Sequence, residues 1–250
     1  MKSCLWGHKL ESQPWIEGSL EVFELSIEQY RLSLNRTTDR DSNRYSRACL
    51  INCDDAVELS VRGFIEFTCG QKSKSFFENL NWLGECDRLD EKLLKKIDGK
   101  IRYYHQQRDT LYHQGYSLNI SRLDLLDFLS KVYTLVQMLF PVEVEDALQY
   151  NSQRAFLILY IQLEKMVVNI CEQNGPKMNE DFEMSELAEL LFRKGTINEN
   201  TKQVLNDVSD FMNKIVPPSK YDELRSEVYE VVQQITECLK ELTNIRSKKI

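Results

Sequence analysis

The 250 residues carry 39 acidic against 32 basic side chains, a formal net charge of -7, which excludes a surface that attracts polyanions nonspecifically over its whole extent. A hydrophobic content of 42% and a charged content of 28% exclude a disordered or fibrous chain and suit one large domain or two small ones. Only nine Gly and five Pro, with long Leu-, Glu- and Lys-rich segments, predict an all-α fold with almost no strand.

Residues 1–10 lack the apolar core of a signal peptide, and the most apolar run, 155–168, is interrupted by Gln162, Glu164 and Lys165. No membrane span is therefore expected. The seven cysteines, at 4, 49, 53, 69, 86, 171 and 238, are odd in number and form no C-x-x-C pair, so they read as free thiols in a reducing cytoplasm. Cys49 and Cys53, four apart on a helix, read as small core residues rather than a redox switch.

In chain order, residues 19–35 place Leu20, Phe23, Ile27, Tyr30 and Leu34 at helical spacing, and the polar stretch 36–44 predicts a turn. A long helix follows over 45–67 with a broad apolar stripe; its polar residues Asn52, Asp54, Asp55 and Glu58 read as a solvated face or as the border of a site. Residues 70–75 predict a linker, 76–83 a short helix and 85–88 a turn. Asp90 caps a helix over 91–113, and Asn119 and Ser121 introduce another that runs to Phe140 and stops at Pro141. Beyond it, 145–172 predicts a long helix, 184–194 a short one closed by Gly195, 198–215 a third and 221–245 the last.

The order of long and short helices thus runs twice, which predicts an internal repeat. Arg47-Ala48-Cys49-Leu50 and Arg154-Ala155-Phe156-Leu157 open the two long helices at an offset of 107 residues. Arg108-Asp109-Thr110-Leu111-Tyr112-His113 has Met212-Asn213-Lys214-Ile215-Val216-Pro217 as its counterpart at an offset of 104. Met212 stands for the Arg and Pro217 for the His, so the second copy keeps the architecture without the chemistry.

The chemistry is concentrated at 102–116, where two of the three histidines stand beside Arg108 and Asp109. At 100° per residue, Asp109 and His113 stack on one helix face, so the carboxylate can fix the imidazole tautomer. Arg108 and Tyr112 form the neighbouring pair, with the guanidinium against the phenol ring. Arg108 and His113 diverge by about 140° in a regular helix and converge on one phosphate only if the helix loosens at its end, where Gly115 suits a left-handed terminus. From Leu89 to His113, Lys92, Lys95, Lys96, Lys100, Arg102 and Arg108 stand against Asp90, Glu91, Asp98 and Asp109, an island of positive charge in an acidic chain.

A long helix, a short connecting element, a helix ending in R-x-x-x-x-H with a polar residue after the Arg, and a closing helix resemble the HEPN domain. The resemblance covers roughly 45–140, and 145–245 as a degenerate copy, so residues 1–140 would hold the intact motif and 141–250 the degenerate domain. It implies two tandem up-and-down helical bundles and a homodimer whose motifs face each other across a cleft. It also implies metal-independent RNA cleavage of the kind found in toxin–antitoxin and phage-defence systems, with an antitoxin or sensor protein as a controlling partner. The roles it carries over are Arg108 on the scissile phosphate, His113 as general base on the ribose 2'-hydroxyl and Asp109 orienting it, giving a 2',3'-cyclic phosphate.

Tyr112, Tyr116, His105, Arg102 and Lys100 are the expected RNA-binding groups, with Tyr103 and Tyr104 as further rings on which bases could stack. The bland alternatives stand beside these: the tyrosines bury rings against neighbouring helices, and His105 is a surface or packing residue. No H-E-x-x-H, no clustered Cys and His and no Gly-rich phosphate loop is present, so neither a metal nor a cofactor is expected. The alternative function is a non-catalytic helical module that binds RNA, a nucleotide or a protein partner.

Overall fold

The structure, a computed structural model, describes residues 14–34, 39–86, 89–114, 120–140, 152–174, 182–215 and 225–247. The described residues are helical apart from short connections, and no helix among them is long and apolar enough to cross a membrane. The chain divides into two compact units, Met1–Val142 and Glu143–Ile250.

In the first unit, α1 (Pro14–Leu34) starts at a proline, whose fixed φ and missing N–H suit a first helical turn; it therefore begins five residues before the position the periodicity suggests. It buries Ile16, Leu20, Phe23, Ile27 and Tyr30 at alternating spacings of four and three, one stripe laid along α2 (Asp39–Gly63). The helix α2 takes in part of the stretch read as a turn, and within it Ser42 Oγ donates to Ser33 O at 2.9 Å, tying its first turns to the end of α1. That link is between residues nine apart, outside what a local propensity can register.

The end of α2 widens into a π-helical turn, Phe64–Thr68, closed by Cys69 N donating to Phe64 O at 3.1 Å. Gly63 lies where the Trp15 ring of α1 presses on α2; a Cβ there would stand 2.0 Å from Trp15 Cε3. The Trp15 ring also meets Phe67 and Phe140, with centroids at 5.7 and 4.8 Å.

The next three elements are α3 (Phe76–Gly84), α4 (Glu91–Gln114) and α5 (Arg122–Leu139), and α2 packs on all three as well as on α1. Their starts are set by side chains. The Ser75 N–H and hydroxyl donate to Glu78 Oε2 at 3.3 and 2.6 Å, Asp90 Oδ1 accepts from Lys92 N and Leu93 N at 2.9 and 3.0 Å, and Ser121 Oγ accepts from Asp124 N at 3.0 Å. Asn79 holds the connection before α3 in place, accepting from Lys74 N at 2.8 Å and donating to Ser73 Oγ at 3.0 Å.

The second unit consists of α6 (Ser152–Asn174), α7 (Met184–Arg193), α8 (Glu199–Ile215) and α9 (Arg225–Ser247), with α6 against α7 and α9, and α8 against both α7 and α9. Gly195, at φ +66°, provides the left-handed residue that ends α7. Asn198 Oδ1 accepts from Thr201 N at 2.8 Å and opens α8. The expected starts at 145 and 221 fall on residues outside those described, as do Gly115, Tyr116 and Pro217.

Candidate functional site

Asp54 lies on the same helical phase of α2 as Leu50, Val57 and Val61, which carries its carboxylate inward: it is 0% exposed. On α4, His105 falls next to Ile101 and Tyr104 on the buried side and is 6% exposed. The two meet across the helix pair, with His105 Nδ1 at 3.0 and 2.9 Å from Asp54 Oδ1 and Oδ2. Two rings of α3 close over the imidazole, Phe76 face to face at 3.8 Å and Phe77 edge-on at 5.3 Å. The α2 residues read as a solvated face are therefore divided: Asp54 is core, whereas Asp55 and Glu58 have side chains 42% and 41% exposed. Burial pushes the Asp54 carboxyl up to about 6, against the opposing pull of His105 and Arg108.

Arg108 lies one turn along α4 and is held by three carboxylates. Its Nε is 3.4 Å from Asp54 Oδ2, its Nη2 3.4 Å from Asp55 Oδ1 and its Nη1 3.4 Å from Asp109 Oδ1. Nε is buried and its line to Asp54 is not that of a hydrogen bond. The guanidinium stands 4.9 Å from the centroid of the Tyr112 ring, the stacking expected from the i, i+4 spacing. Burial works against its charge, but Asp54, Glu58 and Asp55 outweigh burial and raise its pKa.

Asp109 does not face His113. Its contacts are Arg108 Nη1 at 3.4 Å and His105 Nε2 at 3.9 Å, while His113 is exposed with no hydrogen bond or ion pair among the described residues. The reason is electrostatic: a guanidinium and a buried imidazole lie on the side of α4 toward α2, and the carboxylate turns to them.

The remaining expected RNA-binding groups are spread along α4. Tyr112 is 62% exposed and Tyr103 is also exposed; Tyr104 is core, stacked on Phe128 at 4.5 Å, with its hydroxyl 3.4 Å from Asp127 Oδ2. His105 is enclosed as described, so it presents no ring to solvent. Arg102 braces α4 to α3, donating from Nε to Asp98 Oδ2 and from Nη2 to Asn81 Oδ1, both at 2.8 Å, with its guanidinium over Phe77. Lys100 is half exposed, 3.7 Å from Asp127 Oδ2. Tyr116 lies outside the described residues.

Beside the cluster runs an open groove of about 610 Å³, lined among others by Asp55, Glu58, Arg62, Lys72, Lys74 and Phe76. It presents both signs of charge and an aromatic ring. Asp54, Glu58 and His105 offer donor atoms that all lie within 4.8 Å of one another, a set that could hold a cation. Sequence reading missed it because its members are 51 residues apart, although the phase of Asp54 on the α2 stripe was a readable signal. No protein-family model, curated protein or solved structure matches the chain.

Proposed function

We propose that the end of α4 acts on RNA as a metal-independent endoribonuclease of the HEPN type, with Arg108 on the scissile phosphate and His113 moving the 2'-hydroxyl proton. One observation carries the reading: the Arg108 guanidinium is fixed at the solvent edge by Asp55, Asp109 and the Tyr112 ring, and five residues on, about 140° round a helix that stays regular to Gln114, stands an exposed imidazole with no hydrogen bond or ion pair among the described residues. Contacts of 3.4 Å are long for charge-assisted hydrogen bonds, which run to about 2.7–2.9 Å, so the guanidinium is oriented without its donors being consumed. A phosphate would take the place of Asp109 and Asp55 on the guanidinium, against the charge of the carboxylates around it.

In the reaction the ribose 2'-oxygen attacks phosphorus as His113 takes its proton, Arg108 stabilises the equatorial oxygens, and the 5'-oxygen leaves with a proton from a second His113 or from water. The products are a 2',3'-cyclic phosphate and a 5'-hydroxyl. A homodimer that brings two motifs together supplies the second histidine, and an uncontrolled ribonuclease in the cytoplasm calls for an antitoxin or sensor protein.

The second reading, a helical module that binds RNA or a partner without cleaving it, is favoured by Asp109 facing His105 and Arg108, which leaves nothing to orient His113. The experiment that separates them compares an RNA oligonucleotide with its all-deoxy analogue in EDTA. Cleavage of the RNA alone supports the ribonuclease; binding of both without cleavage moves the conclusion to the module.

A further inference from the structure

We propose that Asp54, Glu58 and His105 form a site for one divalent transition-metal ion, of the Zn²⁺ class, clamped between α2 and α4. The donors come preassembled from two helices. Asp54 and Glu58 are i, i+4 on α2, and His105 Nδ1 lies 2.9 Å from Asp54 Oδ2 and 3.7 Å from Glu58 Oε1. Donors placed about 2.0–2.2 Å from a tetrahedral ion stand roughly 3.3–3.5 Å from one another, so an ion needs the Asp54–His105 pair to open by a few tenths of an ångström and the three donors, now within 4.8 Å of one another, to draw in around it.

The surroundings have the features of a metal site's outer shell. The imidazole plane is fixed by Phe76 and Phe77, and its outer nitrogen Nε2 faces Asp109 Oδ2 at 3.9 Å. In the metal-free protein the Nδ1 proton is donated to Asp54; on metal binding that proton leaves Nδ1, and the Nε2–H tautomer finds Asp109 as its acceptor. Arg108 Nε, 3.4 Å from Asp54 Oδ2, supports the same carboxylate from its other side.

Charge points the same way. Asp54, Asp55, Glu58 and Asp109 surround a single guanidinium and a single imidazole, leaving an excess of negative charge around a half-buried pair. Glu58 lines the groove, which gives an ion a path in and leaves room for a water ligand. The two-carboxylate, one-imidazole donor set suits Zn²⁺ or Mn²⁺ better than Ca²⁺.

The site does not rest on the ribonuclease reading, and His113 is not among its donors. Cleavage in EDTA and metal uptake are independent outcomes.

The test titrates metal-free full-length protein with Co²⁺ by visible absorption and with Zn²⁺ by thermal unfolding, for wild type, Glu58→Gln, His105→Gln and His113→Ala. Wild type should take up one equivalent of Co²⁺ with d–d bands and no thiolate charge-transfer band, and its Tm should rise with Zn²⁺. Glu58→Gln, a half-exposed position whose change spares the fold, should bind at least about tenfold more weakly, His105→Gln should lose binding, and His113→Ala should match wild type. Absence of both signals in wild type, a thiolate band showing that free cysteines hold the ion, or Glu58→Gln binding as tightly as wild type would each overturn the proposal.

Discussion

At the sequence offsets on which the expected repeat rests, the two units carry different residues. At the offset of 107, Asp54 falls opposite Ile161 and Glu58 opposite Lys165; at the offset of 104, His105 falls opposite Ser209 and Arg108 opposite Met212. Ile161 and Met212 are each only 1% exposed. At two of these positions the second unit thus packs an apolar core side chain, Ile161 and Met212, where the first holds a buried carboxylate and a guanidinium. Helices of this kind do not need a buried ion cluster to stay together, because apolar burial does the same without desolvating charge. A cluster that taxes the fold is more readily understood through what it positions, namely Arg108, than through stability.

The strongest way to break this comparison is to move the chemistry. Met212→Arg places a cation in the apolar interior of the second unit with no carboxylate cluster at the corresponding positions, and should lower the stability of that unit by about 3–5 kcal/mol in urea unfolding. A cost near zero would mean that the second unit also holds an acceptor for it. Next in size is Asp54→Ala in the first unit, which leaves His105 Nδ1 buried without a partner, removes the carboxylate beside Arg108 Nε and should lower stability by roughly 1–3 kcal/mol. The double replacement Asp54→Leu with His105→Leu removes the buried pair altogether. It should recover most of that loss while abolishing Co²⁺ uptake, and a further drop in stability would show that the ion pair stabilises the fold after all.

Smaller effects concern the thiols and His113. Cys171 and Cys238 are pushed up to about 11 and about 12, chiefly by burial, so at pH 8 both stay protonated and should react with an aromatic disulfide reagent only on unfolding. Cys69 and Cys86 are partly exposed and should react in the native protein. His113→Ala should leave the unfolding midpoint unchanged in urea, since the ring is exposed and makes no hydrogen bond or ion pair among the described residues.

Much of the fold was legible because its signals are local. Asp90 and Ser121 announce helix starts within three residues, Gly195 an end, and the apolar stripes of α1 and α5 repeat at helical spacing. The start of α2 was not legible, because its tie to α1 runs from Ser42 to Ser33. In the site, Arg108 and its Tyr112 ring could be placed from spacing alone. Asp109 could be placed on a face, but the partner its spacing suggested, His113, is not the one it takes, since Arg108 and the buried His105 ring compete for the same carboxylate. Asp54 was grouped with Asp55 and Glu58 by residue type, whereas its phase with Leu50 and Val57 puts it inside. Only packing α2 against α4 brings His105 to it.

The most direct measurement incubates a transfer-RNA pool in EDTA with purified wild type, Arg108→Ala and His113→Ala and determines the fragment ends. The account predicts fragments with 2',3'-cyclic phosphates from wild type and from neither variant, with all three proteins folded. Intact RNA in all three samples, or equal cleavage by His113→Ala, would contradict it.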